Sequence, residues 1–478
     1  NLSVDFVASD VAMSYDLADP QFPEITLADE YMSDASLYQF EDYSTRVRVG
    51  SETDQIGSVN VKWKNAFGHE NALLRFGAKS RVRDRDRGNE VEFWDFGEEG
   101  SFTLTEVMAD DGYLPFIEGR YATNIQADYA SLRDGISQKA DLFVYDERRS
   151  REQSDSSTND VEEQVDAFYG MASVEVGKWR GIVGLRSEDT SISFNANEVL
   201  IDQDRYDADN DGDVDEFIYL ETRPTYGENQ YGNSFSNAHV RYRWNERTTV
   251  IASYTNTIDR PNYAEVVPYR RVDVEDREIE EGNPELRPTL YTNLDFSVDY
   301  KLGEGGMLSF ELFDQAVDDV IFSRETVVSG GVYDGFELER RENNASAQIR
   351  GLSFTWNQPL YLAMLPGGLS FNANYVRQDT ELVYPFRPDE VLPVTGRPDS
   401  RLKLALNYQT KKIFAQLKLA TSDESIYRVG NSPEKDRFRR PRERMDLSVS
   451  YKLQDKTRFY VEWENLTNAP ELDNYEGE

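Results

Sequence analysis

Apolar and polar residues alternate with a period of two over much of the chain. The clearest segments are 294–300, 402–408 and 447–453, in which every second residue is apolar or aromatic. The intervening residues are mostly polar or charged. Because successive side chains of a β-strand point to opposite faces, the pattern predicts strands with one apolar face and one polar face. We therefore predict an all-β fold.

The links between the predicted strands alternate in length. We predict about 15 strands, near residues 2–17, 43–66, 71–83, 163–176, 179–195, 236–245, 248–257, 290–302, 306–323, 344–358, 368–382, 400–409, 413–423, 442–453 and 457–465. Tight turns occur at 177–178, 245–247, 303–305, 410–412 and 454–456. Long, mostly polar loops occur at 18–42, 84–162, 196–235, 258–289, 324–343, 383–399 and 424–441. Short turns at one end and long loops at the other are typical of a large antiparallel transmembrane β-barrel.

In such a barrel the apolar face of each strand contacts lipid and the polar face lines a lumen. The residues predicted to face lipid include Phe296, Val298, Leu402, Leu404, Leu406, Leu447 and Val449. Those predicted to face the lumen include Asp295, Ser297, Asp299, Arg401 and Lys403. The polar face offers no hydrophobic seal of its own, so a lumen this wide would be an open aqueous hole unless something filled it.

The composition excludes several classes of function. The net charge is −37, from 52 basic and 89 acidic residues, so nucleic acid is not an expected partner. The chain has no cysteine and only two histidines, His69 and His239, which leaves few centres for zinc or Ser-His-Asp chemistry. We predict neither catalytic residues nor enzymatic activity. No run of about 20 apolar residues occurs, so no transmembrane helix is predicted.

Three segments resemble the barrel of TonB-dependent receptors. They are the Arg-Pro segment 258–263 (IDRPNY), the segment 281–288 (EGNPELRP) that leads into a strand, and the segment 464–468 (ENLTN). The resemblance implies a barrel of about 22 strands when complete. It also implies an N-terminal plug domain with a TonB box, and nothing in the chain resembles either. We interpret residues 1–478 as one partial barrel domain, with the plug, the first strands and the last strand outside it.

The resemblance implies an integral protein of a bacterial outer membrane that imports a scarce nutrient with energy from the TonB system. The nutrient is left open between an oligosaccharide, a metal chelate and a peptide. Implied partners are outer-membrane lipid and TonB with ExbB and ExbD, which act through the plug; a surface lipoprotein is a further candidate. Two alternatives also fit an alternating β-rich chain: a passive porin, and a soluble or surface-attached glycan-binding protein or glycosidase.

Two motifs carry candidate chemistry. Carboxylates alternate around Gly212 and match the first half of a calcium-binding loop, although the bidentate Glu expected at position 12 is replaced by Ile218. The candidate calcium ligands are Asp207, Asp209, Asp211, Asp213 and Asp215. The alternative is an acidic, solvated loop. The second motif is an arginine ladder, Arg81, Arg83, Arg85 and Arg87. It either meets an anionic substrate in the lumen or forms a strand end that neutralises itself with Asp84 and Asp86.

Overall fold

The computed structural model describes residues 2–475 except for short gaps. The gaps are residues 9–10, 12, 17–23, 28–30, 32–33, 98–99, 110–113, 117–120, 124–125, 207–215, 274–276, 361–365 and 470–472. Among the helices of this described part, none is long and apolar enough to cross a membrane.

Antiparallel strands make up most of the structure. The strands are β1 (Leu2–Val7), β2 (Met13–Asp16), β3 (Glu24–Leu27), β4 (Gln39–Lys64), β5 (Ala72–Phe96), β6 (Leu114–Phe116), β7 (Tyr121–Thr123), β8 (Phe143–Asp146), β9 (Asn159–Val176), β10 (Trp179–Tyr206), β11 (Glu216–Arg243), β12 (Thr248–Asp259), β13 (Arg270–Asp273), β14 (Glu278–Glu281), β15 (Thr289–Lys301), β16 (Met307–Val327), β17 (Glu337–Leu360), β18 (Gly368–Val383), β19 (Ser400–Gln409), β20 (Ile413–Ser422), β21 (Ser425–Arg428), β22 (Arg437–Arg439), β23 (Arg442–Gln454), β24 (Thr457–Trp463) and β25 (Asp473–Tyr475). The helices are α1 (Tyr129–Gln138), α2 (Glu147–Asp155) and the single turn α3 (Tyr263–Val266). Short 3-10 turns lie at Ala35–Leu37, Ala66–Gly68, Leu104–Val107, Ala140–Leu142, Gly303–Gly305 and Pro433–Lys435.

The long strands form one antiparallel succession within an 18-stranded sheet. Each strand pairs with the next in the order β4, β5, β9, β10, β11, β12, β15, β16, β17, β18, β19, β20, β23 and β24. Strand β1 pairs with the upper part of β4. This confirms the predicted all-β, antiparallel architecture, and the turns at 177–178 and 410–412 lie where the sequence predicts them.

The register collects apolar side chains on one face of the sheet. Val298 lies opposite Phe310, which lies opposite Phe354 and then Tyr375 and Leu402. A parallel row runs through Leu406, Leu417, Leu447 and Trp463. The seven residues predicted to face lipid share this face, on which Phe296 is 44% exposed and Leu406 41% exposed.

The opposite face is polar, and its side chains are hydrogen-bonded to one another. Asp299, Ser309, Thr355, Asn374 and Lys403 form one row across five strands. Within it, Ser309 Oγ donates to Asp299 Oδ1 at 2.6 Å, and Asn374 Nδ2 donates to Thr355 Oγ1 at 3.0 Å. This is the lumenal face that the alternation predicts.

Several strands extend far beyond their predicted ends, so two predicted loops are wrong. Much of 84–162 and 196–235 is strand, because β5 continues to Phe96 while β10 and β11 continue to Tyr206 and from Glu216. These extensions mix polar and apolar residues without a regular period of two, so they carry no clear apolar alternation to reveal them. The predicted strand 2–17 is also wrong as one element, since β1 ends at Val7.

The segment between β5 and β9 folds into a cap at the long-loop end of the barrel. Its core contains Phe102, Leu104, Val107, Leu132 and Phe143, all buried. The Phe40 ring of β4 stacks on Phe102 at 4.8 Å. The cap is therefore fastened to the barrel wall by aromatic packing.

Helix α2 of this cap lies along β5 where strand pairing to β9 has ended. The Ser150 hydroxyl accepts a hydrogen bond from the backbone N–H of Phe93 in β5 at 2.8 Å, and the Ser154 hydroxyl accepts one from the N–H of Val91 at 2.8 Å. Thr158 Oγ1 accepts from the Asn89 N–H at 3.3 Å. The hydroxyls recur every fourth residue, so they lie on one side of the helical segment and replace a neighbouring strand.

Candidate functional site

The arginine ladder lies on the inner face of β5, well inside the strand. In the register, Arg83 is opposite Asp54 of β4 and Glu163 of β9. The ladder residues alternate with the outward positions, which include the exposed Phe76. The strand continues beyond Arg87 to Phe96, so the interpretation of the ladder as a strand end is wrong.

The two arginines of the ladder nearer the short turns, Arg81 and Arg83, are its lower half, and both are neutralised by carboxylates on neighbouring strands. Arg81 forms an ion pair with Glu163, whose side chain is almost fully buried. Arg83 donates from Nε and Nη2 to the two carboxylate oxygens of Asp54, at 2.8 and 2.7 Å. Bidentate pairing of this kind fixes both the charge and the orientation of the guanidinium. Arg81 and Arg83 are therefore components of the wall.

The Arg-Pro segment that follows β12 turns into the lumen opposite the ladder. Arg260 Nη2 donates to Glu188 Oε2 of β10 at 2.7 Å. The Tyr263 hydroxyl donates to Glu163 Oε2 at 3.2 Å. A capping box between Asn262 and Glu265 starts the single turn α3 and sets the direction in which this segment enters.

Burial shapes the electrostatics of this inward segment. Burial raises the pKa of Tyr263, and the neighbouring Glu163 carboxylate raises it further. Burial lowers the pKa of Arg260, but the hydrogen bond to Glu188 and the nearby charges of Glu188 and Glu163 together outweigh it, so the pKa is raised overall. Tyr263 is therefore a neutral hydroxyl and Arg260 a fixed cation at physiological pH.

The two upper arginines of the ladder have different surroundings. The Arg85 guanidinium lies over the Tyr263 ring, 5.1 Å from its centroid. Glu52 is opposite Arg85 in the register, but its carboxylate pairs with Arg83 at 3.3 Å. Arg87 lies opposite Gly50 and Asn159, neither of which carries a charge.

A cavity of about 660 Å³ lies between the ladder and the inward segment. Its lining includes Arg85, Arg87, Ile192, Tyr231 and Arg260. A second cavity of about 240 Å³ adjoins it and shares Arg87, Asn159 and Ala264 with it. The second cavity adds Arg46 and Arg48 of β4, and Arg271, to the lining. The volume of the first cavity suits a small solute.

A separate cavity of about 420 Å³ lies between strands β14, β16 and β17 and the segment 428–437. Here Glu280, Glu339 and Glu325 are neighbours in the register across three strands. Arg428 pairs with Glu325 and lies 3.6 Å from the Glu339 carboxylate, and Glu280 accepts a hydrogen bond from Tyr269 at 2.6 Å. The carboxylates of this cavity are therefore largely occupied by partners within the fold.

The five aspartates predicted to bind calcium lie in 207–215, outside the described residues. Calcium binding there stays a prediction. Across the residues that are described, no group of three or more His, Asp or Glu side chains is arranged to hold a metal ion.

Sequence reasoning located the ladder but missed its partners. Glu163 and Glu188 are ordinary strand residues, and the contacts of Glu163 with Arg81 and of Glu188 with Arg260 span 82 and 72 residues of chain. Arg260 belongs to the Arg-Pro segment 258–263, but that segment alone predicted no role for it. Only its spacing of two residues from Arg46 could have indicated that Arg48 shares a strand face with it.

A family model described as TonB dependent receptor-like, beta-barrel matches residues 5–466. The chain belongs to this family. Barrels of TonB-dependent receptors are integral to the outer membrane, so the apolar face of this barrel contacts lipid and its polar face lines the lumen. The soluble alternative is therefore wrong.

Solved structures of other transport proteins are similar to this chain. The copper transporter OprC is 12% identical, with a TM-score of 0.51 over 92% of this chain and 58% of that chain. The siderophore receptor PiuA from Acinetobacter baumannii is 9% identical, with a TM-score of 0.46 over 90% of this chain and 61% of that chain. The chain thus spans about three fifths of the length of these proteins. No curated protein matches the chain in sequence.

Proposed function

We propose that the chain forms the barrel of an active transporter that imports a scarce nutrient across the outer membrane with energy from the TonB system. The observation that carries the proposal is the inner face of the barrel. This face is polar, with hydrogen-bonded pairs such as Ser309–Asp299 and Asn374–Thr355, so it provides an aqueous path and no hydrophobic seal. A wide barrel of this kind needs a folded plug, and a plug needs an energy source to move it.

The partners that this function requires are TonB with ExbB and ExbD, acting through a plug, together with a small nutrient solute. An oligosaccharide, a metal chelate and a peptide remain the candidate nutrients. The copper and siderophore named for OprC and PiuA are the cargo of those proteins. A surface lipoprotein lid and calcium bound by the aspartates of 207–215 are subsidiary proposals.

Uptake into cells that express the full-length receptor tests the function. Cells are offered a labelled oligosaccharide, a labelled peptide and radioactive ferric citrate, with the proton gradient intact or collapsed by an uncoupler. We expect receptor-dependent uptake of at least one solute, lost on adding the uncoupler and lost in cells without TonB. Uptake that survives both treatments would identify a passive porin instead.

A further inference from the structure

We infer that the inner face of β4 and β5 carries an anion-binding subsite formed by Arg48, Arg85 and Arg87. Its ligand is a small solute that bears two or more carboxylate or phosphate groups. The inference rests on the proposed function, because it names the chemical class of solute that the lumen recognises.

The subsite runs against the charge of the whole chain. Acidic residues outnumber basic ones by 89 to 52, so an unselected patch of surface would be acidic. At this place five arginines, Arg46, Arg48, Arg85, Arg87 and Arg271, line two adjoining cavities. A basic lining inside an acidic protein focuses a positive potential in a restricted volume, which favours the entry of anions.

The three carboxylates that face the ladder directly are committed elsewhere, and of the other acidic residues that line the two cavities, Asp259 and Glu280, Glu280 accepts a hydrogen bond from Tyr269. Glu163 pairs with Arg81, Asp54 with Arg83, and Glu52 also pairs with Arg83. Over the described residues, the structure records no ion pair for Arg85, Arg87 or Arg48. The register partners of Arg48 and Arg87 on the neighbouring strand are the uncharged residues Asn89 and Gly50. The ladder is thus divided into a lower, neutralised half and an upper half that presents uncompensated charge to the cavity.

Geometry favours a ligand with more than one anionic group. Residues two apart on one strand face are separated by about 6.6 Å, so Arg85 and Arg87 can each bind a separate group. Arg48 is diagonal to Arg87 across the β4–β5 pair, within reach of a long side chain. Adjacent guanidiniums repel each other, and a polyanion relieves that repulsion while accepting bidentate hydrogen bonds.

The site is also partly ordered before a ligand arrives. The Tyr263 ring supports the Arg85 guanidinium from one side, and the hydrogen bond from the Tyr263 hydroxyl to Glu163 fixes that ring. Asn89 is held by hydrogen bonds from its Nδ2 to Ser157 Oγ at 2.6 Å and to the Gln153 carbonyl at 3.1 Å. Ordering side chains in advance lowers the entropic cost of binding.

Calorimetry on the purified full-length receptor in detergent tests the subsite. The probes are citrate and inorganic pyrophosphate, with trehalose as a neutral control, each at low and at moderate salt. We expect at least one anion to bind with 1:1 stoichiometry, more weakly as salt is raised, and trehalose not to bind. Arg85→Gln with Arg87→Gln should weaken anion binding at least tenfold.

Arg180→Gln is the matched control, because Arg180 also faces the lumen but lies next to the turn at 177–178, far along the strand from the subsite. It should leave anion binding unchanged, and an equal loss in this variant would overturn the subsite in favour of diffuse charge. Two further results would overturn it. One is that neither anion binds to the unmodified receptor. The other is that the double variant melts at a lower temperature than the unmodified receptor when no anion is present. The last would mean that the arginines pair with another part of the receptor. Binding needs no proton gradient, so these results are separate from the uptake test of the transporter.

Discussion

The part of the barrel wall next to the short turns differs from the part beyond it, although the same strands build both. Near the turns, β15 and β19 place apolar residues such as Phe296 and Leu406 on one face and polar residues on the other. Further along, β5 and β10 carry many charged residues, and apolar residues such as Val91 and Phe194 are buried against other segments instead of facing lipid. There the wall is held by cross-strand ion pairs such as Arg83–Asp54, by a helix along β5, and by buried contacts between loops.

The difference follows from the surroundings of each part. Lipid offers no hydrogen bonds, so the membrane part must hide all its polar groups inward and needs only its backbone ladder and an apolar exterior. The outer part lies in water, and its apolar burial is confined to separate clusters where the cap and the long loops pack on the strands. Its order therefore depends on these clusters together with specific buried polar partners, and single substitutions of such partners should remove larger contributions to stability.

The largest effect is expected where two loops meet in the outer part. Arg387 and Asp436 form an ion pair at 2.7 Å, with side chains only 4% and 3% exposed. Arg387→Met would leave Asp436 buried without its partner and should lower the free energy of unfolding by about 3–5 kcal/mol. Urea unfolding of the receptor reconstituted in lipid measures this. Adding Asp436→Leu should restore part of the loss, and a double variant no better than the single one would contradict the assignment.

In the membrane part, Leu404→Arg places a charge on the lipid face. The cost should be about 2–4 kcal/mol if the residue is near the bilayer midplane. Ala405→Arg is the control, since Ala405 is on the lumenal face one residue further along β19. The folding yield and the free energy of unfolding in lipid vesicles are measured for both variants. Tolerance at 404 with intolerance at 405 would reverse the facing of the whole strand.

The helix that borders β5 should be sensitive to loss of one hydroxyl. Ser154→Ala removes the acceptor of the Val91 N–H and should cost about 1–3 kcal/mol, because that backbone group is buried without another partner. Hydrogen exchange of the upper β5 amides should rise together with this loss. Ser131→Ala on the exposed side of α1 should leave both measurements unchanged. Equal exchange in the two variants would show that α2 is not the partner of β5.

The smallest effect is a dependence on alkaline pH. Burial raises the pKa of Tyr384 to about 12, and Asp436 adds to the shift. The ordinary pKa is lower, at about 10, so the stability contribution of the neutral hydroxyl is present below pH 10 and lost as the pH rises towards 12. The loss should approach about 1.4 kcal/mol per pH unit in that window. Unfolding measured from pH 9 to 11 tests this. Tyr384→Phe should reduce the slope by about the contribution of one tyrosine, because Tyr263 also has a raised pKa and keeps its own contribution. A slope that is unchanged in this variant would contradict the assignment to Tyr384.

The same contrast explains what could be predicted from the sequence. The strands β19 and β20 lie within a residue of their predictions because alternation reports a lipid face directly. The extension of β5 beyond residue 83 could not be predicted in this way. Its Arg–Asp alternation suits a solvated strand end equally well, and the partners that decide the matter, Asp54 and Glu163, are distant in the chain.

The candidate site shows the same limit. The ladder was visible as a row of arginines, but its division into a paired and an unpaired half depends on which carboxylates the register brings opposite. Arg260 and Tyr263 enter the lumen because a capping box and two hydrogen-bond partners, Glu188 and Glu163, direct them there. No local pattern encodes those partners.

The packing of a helix in place of a strand along β5 affects the tendency of the protein to aggregate. A strand whose N–H groups lacked partners at this level would be a template on which a strand of another molecule could add. Hydroxyls on α2 occupy those groups without presenting a new strand edge outward. The barrel wall can therefore extend beyond the membrane at this point without an exposed strand edge that favours aggregation. The cap protects β5 from intermolecular strand pairing because it supplies α2.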